Sequence, residues 1–136
     1  MEIIFKPIGY ISSPYKDKKD IPRQSVLKDN VLGKVKFEEE FKDGMYGYEE
    51  GDYIVLLFNF HESKSSKMII NPHGSKEKRG VFATRSPNRP NGIGMSIVKI
   101  TEIDEGGFTF DGVDMLDKTP VIDIKPYSSG LNPKEN

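Results

Sequence analysis

The stretch RGVFATRSPNRPNGIGMS, residues 79–96, sets three arginines among two prolines, two asparagines and three glycines. Planar guanidinium forks held on a turn-rich segment suit a carboxylate or phosphate. Three further polar clusters follow apolar segments: IPRQS at 21–25, FHES at 60–63 and DGVDMLDKTPVIDIKPY at 111–127. Arg23, Arg85 and Arg89 supply forks, while Asp114, Asp117 and Asp123 can accept from ribose hydroxyls, amines or arginines. Pairing of Arg85 with these aspartates, as a packing network, is an equal alternative on residue types alone.

Other chemistries have no footing in the sequence. The chain has no cysteine, so a disulfide framework, a thiolate zinc site and a cysteine nucleophile are excluded. It carries no GxxxxGK[ST] phosphate loop, no GxSxG elbow and no HExxH helix. Gly92-Ile93-Gly94 lacks the third glycine of a dinucleotide fingerprint and reads as a turn. His61 and His73 lie twelve residues apart without further spaced ligands, so metal-free chemistry is expected. The beginning MEIIFKPIGY has no apolar run of signal length, and no stretch reaches the roughly 18 apolar residues of a membrane span, which leads us to expect a soluble cytoplasmic protein.

A formal net charge of -1 conceals a strong asymmetry. Residues 61–99 contain eight lysines and arginines against Glu62 and Glu77, a balance of +6. Residues 38–52 and 102–123 each contain seven acids and one lysine, or -6. Such separation focuses a local field although the total nearly cancels, whereas solvated surface loops are the plainer account of each cluster.

The elements that must position these groups are short strands. IIFKPIGYI (3–11), LGKVKF (32–37), YIVLLFNF (53–60), GVFAT (80–84), SIVKITEI (96–103), FTFDGV (108–113) and PVIDI (120–124) are rich in β-branched and aromatic residues. YIVLLFNF is apolar almost throughout and suggests a central, doubly covered strand, and DEGG (104–107) marks a hairpin before Phe108. A single short helical turn is expected around FKDGMYGYEEG. The 136 residues fit one all-β domain with little helix, a barrel or sandwich whose strand-end loops gather polar clusters at a rim or subunit boundary.

Taken in order, IGYISSPY, PRQ, FH, RGVFATRSPNRPNGIGMS and LDKTPVIDIKPY span nearly the whole chain and resemble the TrmO/TsaA-like family of S-adenosylmethionine-dependent tRNA N6-methyltransferases. The resemblance implies a small single-sheeted β-barrel, dimeric, with S-adenosyl-L-methionine held near the subunit interface. For bacterial members the acceptor is the N6 of threonylcarbamoyladenosine beside the anticodon of a threonine tRNA. Bacterial relatives tend to carry an additional carboxy-terminal domain, and residues 1–136 are expected to form the barrel domain alone. Carried over by position, the cofactor contacts fall on Arg23, Gln24, Ser25, Val26 and Leu27, on His61 and Glu62, on Arg85 and Met95, and on Asp111, Gly112, Val113 and Asp114. The chain departs from the family at Gly92, where many members have proline, and at Lys118, where many have glycine. Gly92 is expected to loosen its turn, and Lys118 to put a charged residue where glycine permits positive φ.

Methyl transfer is an in-line displacement that depends on positioning and needs no covalent intermediate. An exocyclic N6 is a poor nucleophile, and a proton acceptor helps late in the reaction. Asp114 and Asp117 are the candidate catalytic groups, with Asp114 assigned first to the ribose or amino group of the cofactor. Lys64, Lys67, Lys76, Lys78, Arg79 and Arg89 are the candidates for RNA phosphates, and Tyr46 and Tyr48 are possible stacking platforms. A noncatalytic sensor that binds S-adenosylmethionine or a nucleotide and regulates an RNA-associated partner is the competing reading.

Overall fold

The computed structural model describes residues 1–21, 31–72, 75–131 and 133. Eight strands are present among them: β1 (Gly9–Ser12), β2 (Leu32–Phe37), β3 (Tyr53–Asn59), β4 (Ile69–Ile70), β5 (Arg79–Gly80), β6 (Ile93–Asp104), β7 (Gly107–Asp111) and β8 (Pro120–Pro126). Six close into an antiparallel barrel in the order β1-β2-β7-β6-β3-β8, while β4 and β5 form a separate two-stranded ribbon. Closure leaves the barrel no free edge, which an open sheet of this size would have to cover.

Alternation of side chains decides what the barrel encloses. Along β6, Gly94, Ser96, Val98 and Ile100 point inward while Ile93, Met95, Ile97 and Lys99 point outward. Inward residues from all six barrel strands, including Ile11, Val35, Leu56, Phe108, Phe110 and Val121, make one buried core. The DEGG hairpin forms as expected: Asp104 Oδ1 accepts from the Gly106 and Gly107 N–H groups at 2.7 and 3.1 Å, and β7 includes Gly107 itself.

Several sequence expectations shift. Pairing in the first strand begins only at Gly9; Pro7 has no N–H to give to a ladder, and Ile3, Ile4 and Phe5 lie exposed ahead of it. GVFAT is not a strand, because after Gly80 the chain turns into a 3-10 segment, Val81–Ala83. Among the described residues the other helical structure is also 3-10, at Lys18–Asp20 and at Glu39–Met45. β3 is covered on one side only: Ile54, Leu56 and Phe58 are buried, whereas Tyr53 is exposed and Val55 and Leu57 are half-buried on the outside. Gly94 belongs to β6 rather than to a turn, since a Cβ there would sit 2.5 Å from Phe58 Cε2 and 2.7 Å from the Phe60 ring. Glycine lets the two rings, stacked edge to face at 5.2 Å, lie against the backbone.

The antiparallel order puts one set of strand ends on a common rim: Ser12, Leu32, Asn59, Ile93, Asp111 and Pro120. Segments 13–31, 60–92 and 112–119 therefore leave and re-enter the barrel at the same end. The acidic segment 38–52 crosses the opposite rim from the basic segment 60–92, whereas the second acidic stretch, 102–123, reaches both rims.

Candidate functional site

Among the described residues, FHES, residues 81–92 and residues 112–119 lie on the segments of that one rim, while Val121 to Pro126 run along β8 toward the other end. Side chains tie the segments together. Lys18 Nζ donates to the Glu62 carbonyl at 2.6 Å, joining the first to the second. Asp117 joins the first to the third, with Oδ1 accepting from Ser13 N–H at 3.0 Å and Oδ2 paired with Lys16 Nζ at 2.9 Å. Ser96 Oγ, inside β6, donates to the Asp114 carboxylate at 2.9 and 3.0 Å.

The two candidate bases thereby separate. Burial pushes the Asp114 carboxyl above the usual carboxylate range, against the opposing hydrogen bonds of Ser96 and a backbone N–H. Lys16 and the Ser13 N–H hold Asp117 below that range. A carboxylate already saturated by a lysine and a backbone donor is a poor proton acceptor, so Asp117 acts here as a tie between loops. Asp123 makes its ion pair with Lys125 on the outer face. None of these aspartates is paired with Arg85 among the described residues, which removes the packing-network alternative there.

Segment 60–92 builds its own scaffold. The Phe60 N–H donates to the Gly92 carbonyl at 2.7 Å, Ser63 Oγ to Asn88 Oδ1 at 2.9 Å, and Lys67 N–H to the Asn88 carbonyl at 3.1 Å. Arg89 is half-buried, and its Nη1 donates to the Thr84 and Ser86 carbonyls at 2.9 and 3.2 Å. Its first role is to staple the loop, so it is less free to face RNA than sequence suggests. Gly92 takes φ 57°, a left-handed conformation closed to proline, and therefore fixes a definite turn rather than loosening one.

Beneath this loop lies an open cleft of about 370 Å³ lined by Asn59, Phe60, His61, Ser63, Lys64 and Arg89. His61 is half-buried there, 3.7 Å from Glu62 Oε1. Arg85 is exposed on the same segment, as are Lys64, Lys67, Lys76, Lys78 and Arg79. Gly112, at φ 85°, carries the chain out of β7 beyond Asp111, and Val113 is 1% exposed, which commits its side chain to the core. Met95 is 39% exposed on the outer face of β6, opposite Leu57 of β3. Arg23, Gln24, Ser25, Val26, Leu27 and His73 lie outside the described residues. No group of three potential metal ligands occurs among the described residues. Tyr46 stands on the opposite rim and Tyr48 packs edge-on against Phe108, so neither faces the basic segment.

In the cleft the Phe60 ring offers an apolar surface and Lys64 a countercharge for an anion, while Asp114, half-buried on segment 112–119, offers an acceptor for hydroxyl or amino groups. The fold and rim thus define a small β-barrel protein with a candidate binding site on its strand-end loops.

Comparison with known proteins narrows that class. The profile of the tRNA-methyltransferase O N-terminal domain matches residues 10–132, and the chain belongs to the TrmO/TsaA-like family. It is 41% identical over 134 residues to a probable S-adenosyl-L-methionine-binding protein of Pyrococcus abyssi, covering 98% of this chain and 73% of that one. An S-adenosyl-L-methionine-binding protein of Archaeoglobus fulgidus is 40% identical over 130 residues, covering 96% of this chain and 93% of the relative. The mouse tRNA (adenine(37)-N6)-methyltransferase is 33% identical over 98% of this chain, which spans 33% of the mouse protein. The crystal structure of TrmO from Pseudomonas aeruginosa superposes with a TM-score of 0.78 at 36% identity, over 97% of this chain and 58% of the other.

Proposed function

We propose that this protein binds S-adenosyl-L-methionine at the basic barrel rim and transfers its methyl group to N6 of an adenosine, threonylcarbamoyladenosine, beside the anticodon of a tRNA. The observation that supports the reading is that, among the described residues, His61 to Gly92 and Gly112 to Thr119, with Asp114 among them, leave and re-enter the barrel at one end in a chain of this family. The cofactor supplies, when bound, an electrophilic methyl on a sulfonium. Asp114 anchors a hydroxyl or amino group and, with its carboxyl raised by burial, is the better proton acceptor of the two aspartates. Arg85 and the cleft cations orient a carboxylate, and the lysines of segment 60–92 bring the phosphate backbone alongside.

Met95 supports a dimer with the site near its interface. Its side chain lies outside the barrel, in an apolar band with Ile93 and Ile97 of β6 and Tyr53, Val55 and Leu57 of β3. A second copy laid on this band covers the half-exposed strand pair and brings its own rim beside Met95.

Nucleoside mass spectrometry of tRNA from cells lacking the protein tests the reading. Loss of one methylated adenosine from a defined tRNA, restored by the wild-type gene, is expected; unchanged nucleosides contradict it. The archaeal relatives, named for binding alone, favour as second reading a noncatalytic S-adenosylmethionine sensor, which predicts that unchanged result.

A further inference from the structure

Phe82 is the residue the proposed chemistry leaves unexplained. Its side chain is 76% exposed at the middle of the Val81–Ala83 turn, with Ile69, 60% exposed, on the adjoining strand of the ribbon and Met68, 50% exposed, just before it. Leaving such a ring in water forgoes the roughly 2 kcal/mol that burial of a phenylalanine contributes. The turn that displays it is braced. Val81 is 1% exposed, its N–H donates to the Met68 carbonyl at 2.8 Å, and its own carbonyl accepts from Thr84 N–H and Oγ1 at 3.1 and 2.8 Å. The ring makes no aromatic or cation–π contact among the described residues.

The charge around the ring selects its partner. Lys67, Lys76, Lys78, Arg79 and Arg85 are all exposed on the same segment, and Glu77 is the one acid between residues 64 and 89. A second copy docking through this surface would bring like charges together. Single-stranded RNA instead offers a π-face for the ring and phosphates for the cations.

We propose that Phe82 is a stacking platform for an unpaired base of RNA, with Lys78 and Arg79 holding the neighbouring phosphates. The inference rests on the tRNA reading and deepens it by naming the residue that sequence placed within a strand. Aromatic stacking resists salt while phosphate contacts do not, so the two contributions can be read apart.

The chain contains no tryptophan, so Phe82→Trp introduces a unique fluorophore on the platform. This variant is titrated with full tRNA and with an anticodon stem–loop, alongside filter binding at two salt concentrations and thermal melts. We expect the indole emission of Phe82→Trp to be quenched in step with RNA binding. Phe82→Ala weakens binding about 5- to 100-fold with the salt slope unchanged and the melt near wild type. Wild-type affinity of Phe82→Ala, or indole emission that stays constant while RNA is bound, overturns the proposal. So does quenching by S-adenosylmethionine alone or by protein concentration alone, which assigns the ring to the cofactor or to a second copy. If the wild-type protein binds no tRNA by filter assay, the tRNA reading itself fails and takes this inference with it.

Discussion

The Ser96 hydroxyl reaches both carboxylate oxygens of Asp114, at 2.9 and 3.0 Å, from inside the barrel wall. Ser96 faces inward on β6 three residues from the first-rim end of the strand, and Asp114 lies three residues beyond the end of β7. The carboxylate is thereby held in place by the core itself. Asp114→Asn is expected to lower methyl transfer by about 100-fold or more if the carboxylate takes the proton. Its raised pKa also sets the sign of a stability effect. Between the unfolded and folded pKa values the folded state holds the extra proton, so burial of the carboxylate costs stability that returns as pH falls. Thermal melts of Asp114→Asn should exceed wild type near neutral pH, with the gap closing in acid.

Asp117 runs the other way. Its folded pKa is depressed by Lys16 and the Ser13 N–H, so its contribution is full above the unfolded carboxylate pKa and is lost as pH falls through the folded value. Denaturant titrations should find Asp117→Asn less stable than wild type at neutral pH and equal to it in strong acid. Cofactor affinity per folded molecule should be nearly unchanged.

Lys118 occupies φ 68°, the left-handed conformation that a Cβ disfavours. Sequence placed a strained residue at this position, and the backbone agrees. Lys118→Gly should raise stability by about 1 kcal/mol, a few degrees in a thermal melt.

Lys76 and Lys78 are exposed on the segment assigned to RNA. A Lys76→Glu, Lys78→Glu double variant should lose tRNA affinity by about tenfold or more at low salt, with a shallower salt dependence and S-adenosylmethionine affinity near normal. Parallel filter binding and calorimetry check the pair of results.

Ile97 lies at the centre of the exposed band on β3 and β6, opposite Val55. Ile97→Lys should convert a dimer to a monomer in sedimentation and weaken cofactor binding with it, because Met95 shares that face. A wild-type protein that sediments as a monomer at micromolar concentration contradicts the dimer.

Much of this architecture was legible because period-two alternation survives in the barrel strands: Phe108 and Phe110 turn inward, as their spacing with Thr109 and Asp111 requires. Charge polarity was legible too, since antiparallel closure sends segments 38–52 and 60–92 to opposite rims. Tertiary packing decided the rest. Gly94 reads as a turn residue until the Phe58 and Phe60 rings are placed over it. GVFAT has strand propensity, yet Thr84 bonds back to the Val81 carbonyl and closes a turn that aims Phe82 outward. The apolar composition of β3 suggested cover on both sides, of which a single chain provides one.

Methyl-labelled S-adenosylmethionine, purified protein and tRNA carrying threonylcarbamoyladenosine test the central claim most directly. The predicted result is label on N6 of the adenosine beside the anticodon, dependent on Asp114. Saturable cofactor binding with no labelled nucleoside, on modified and unmodified tRNA alike, would contradict it.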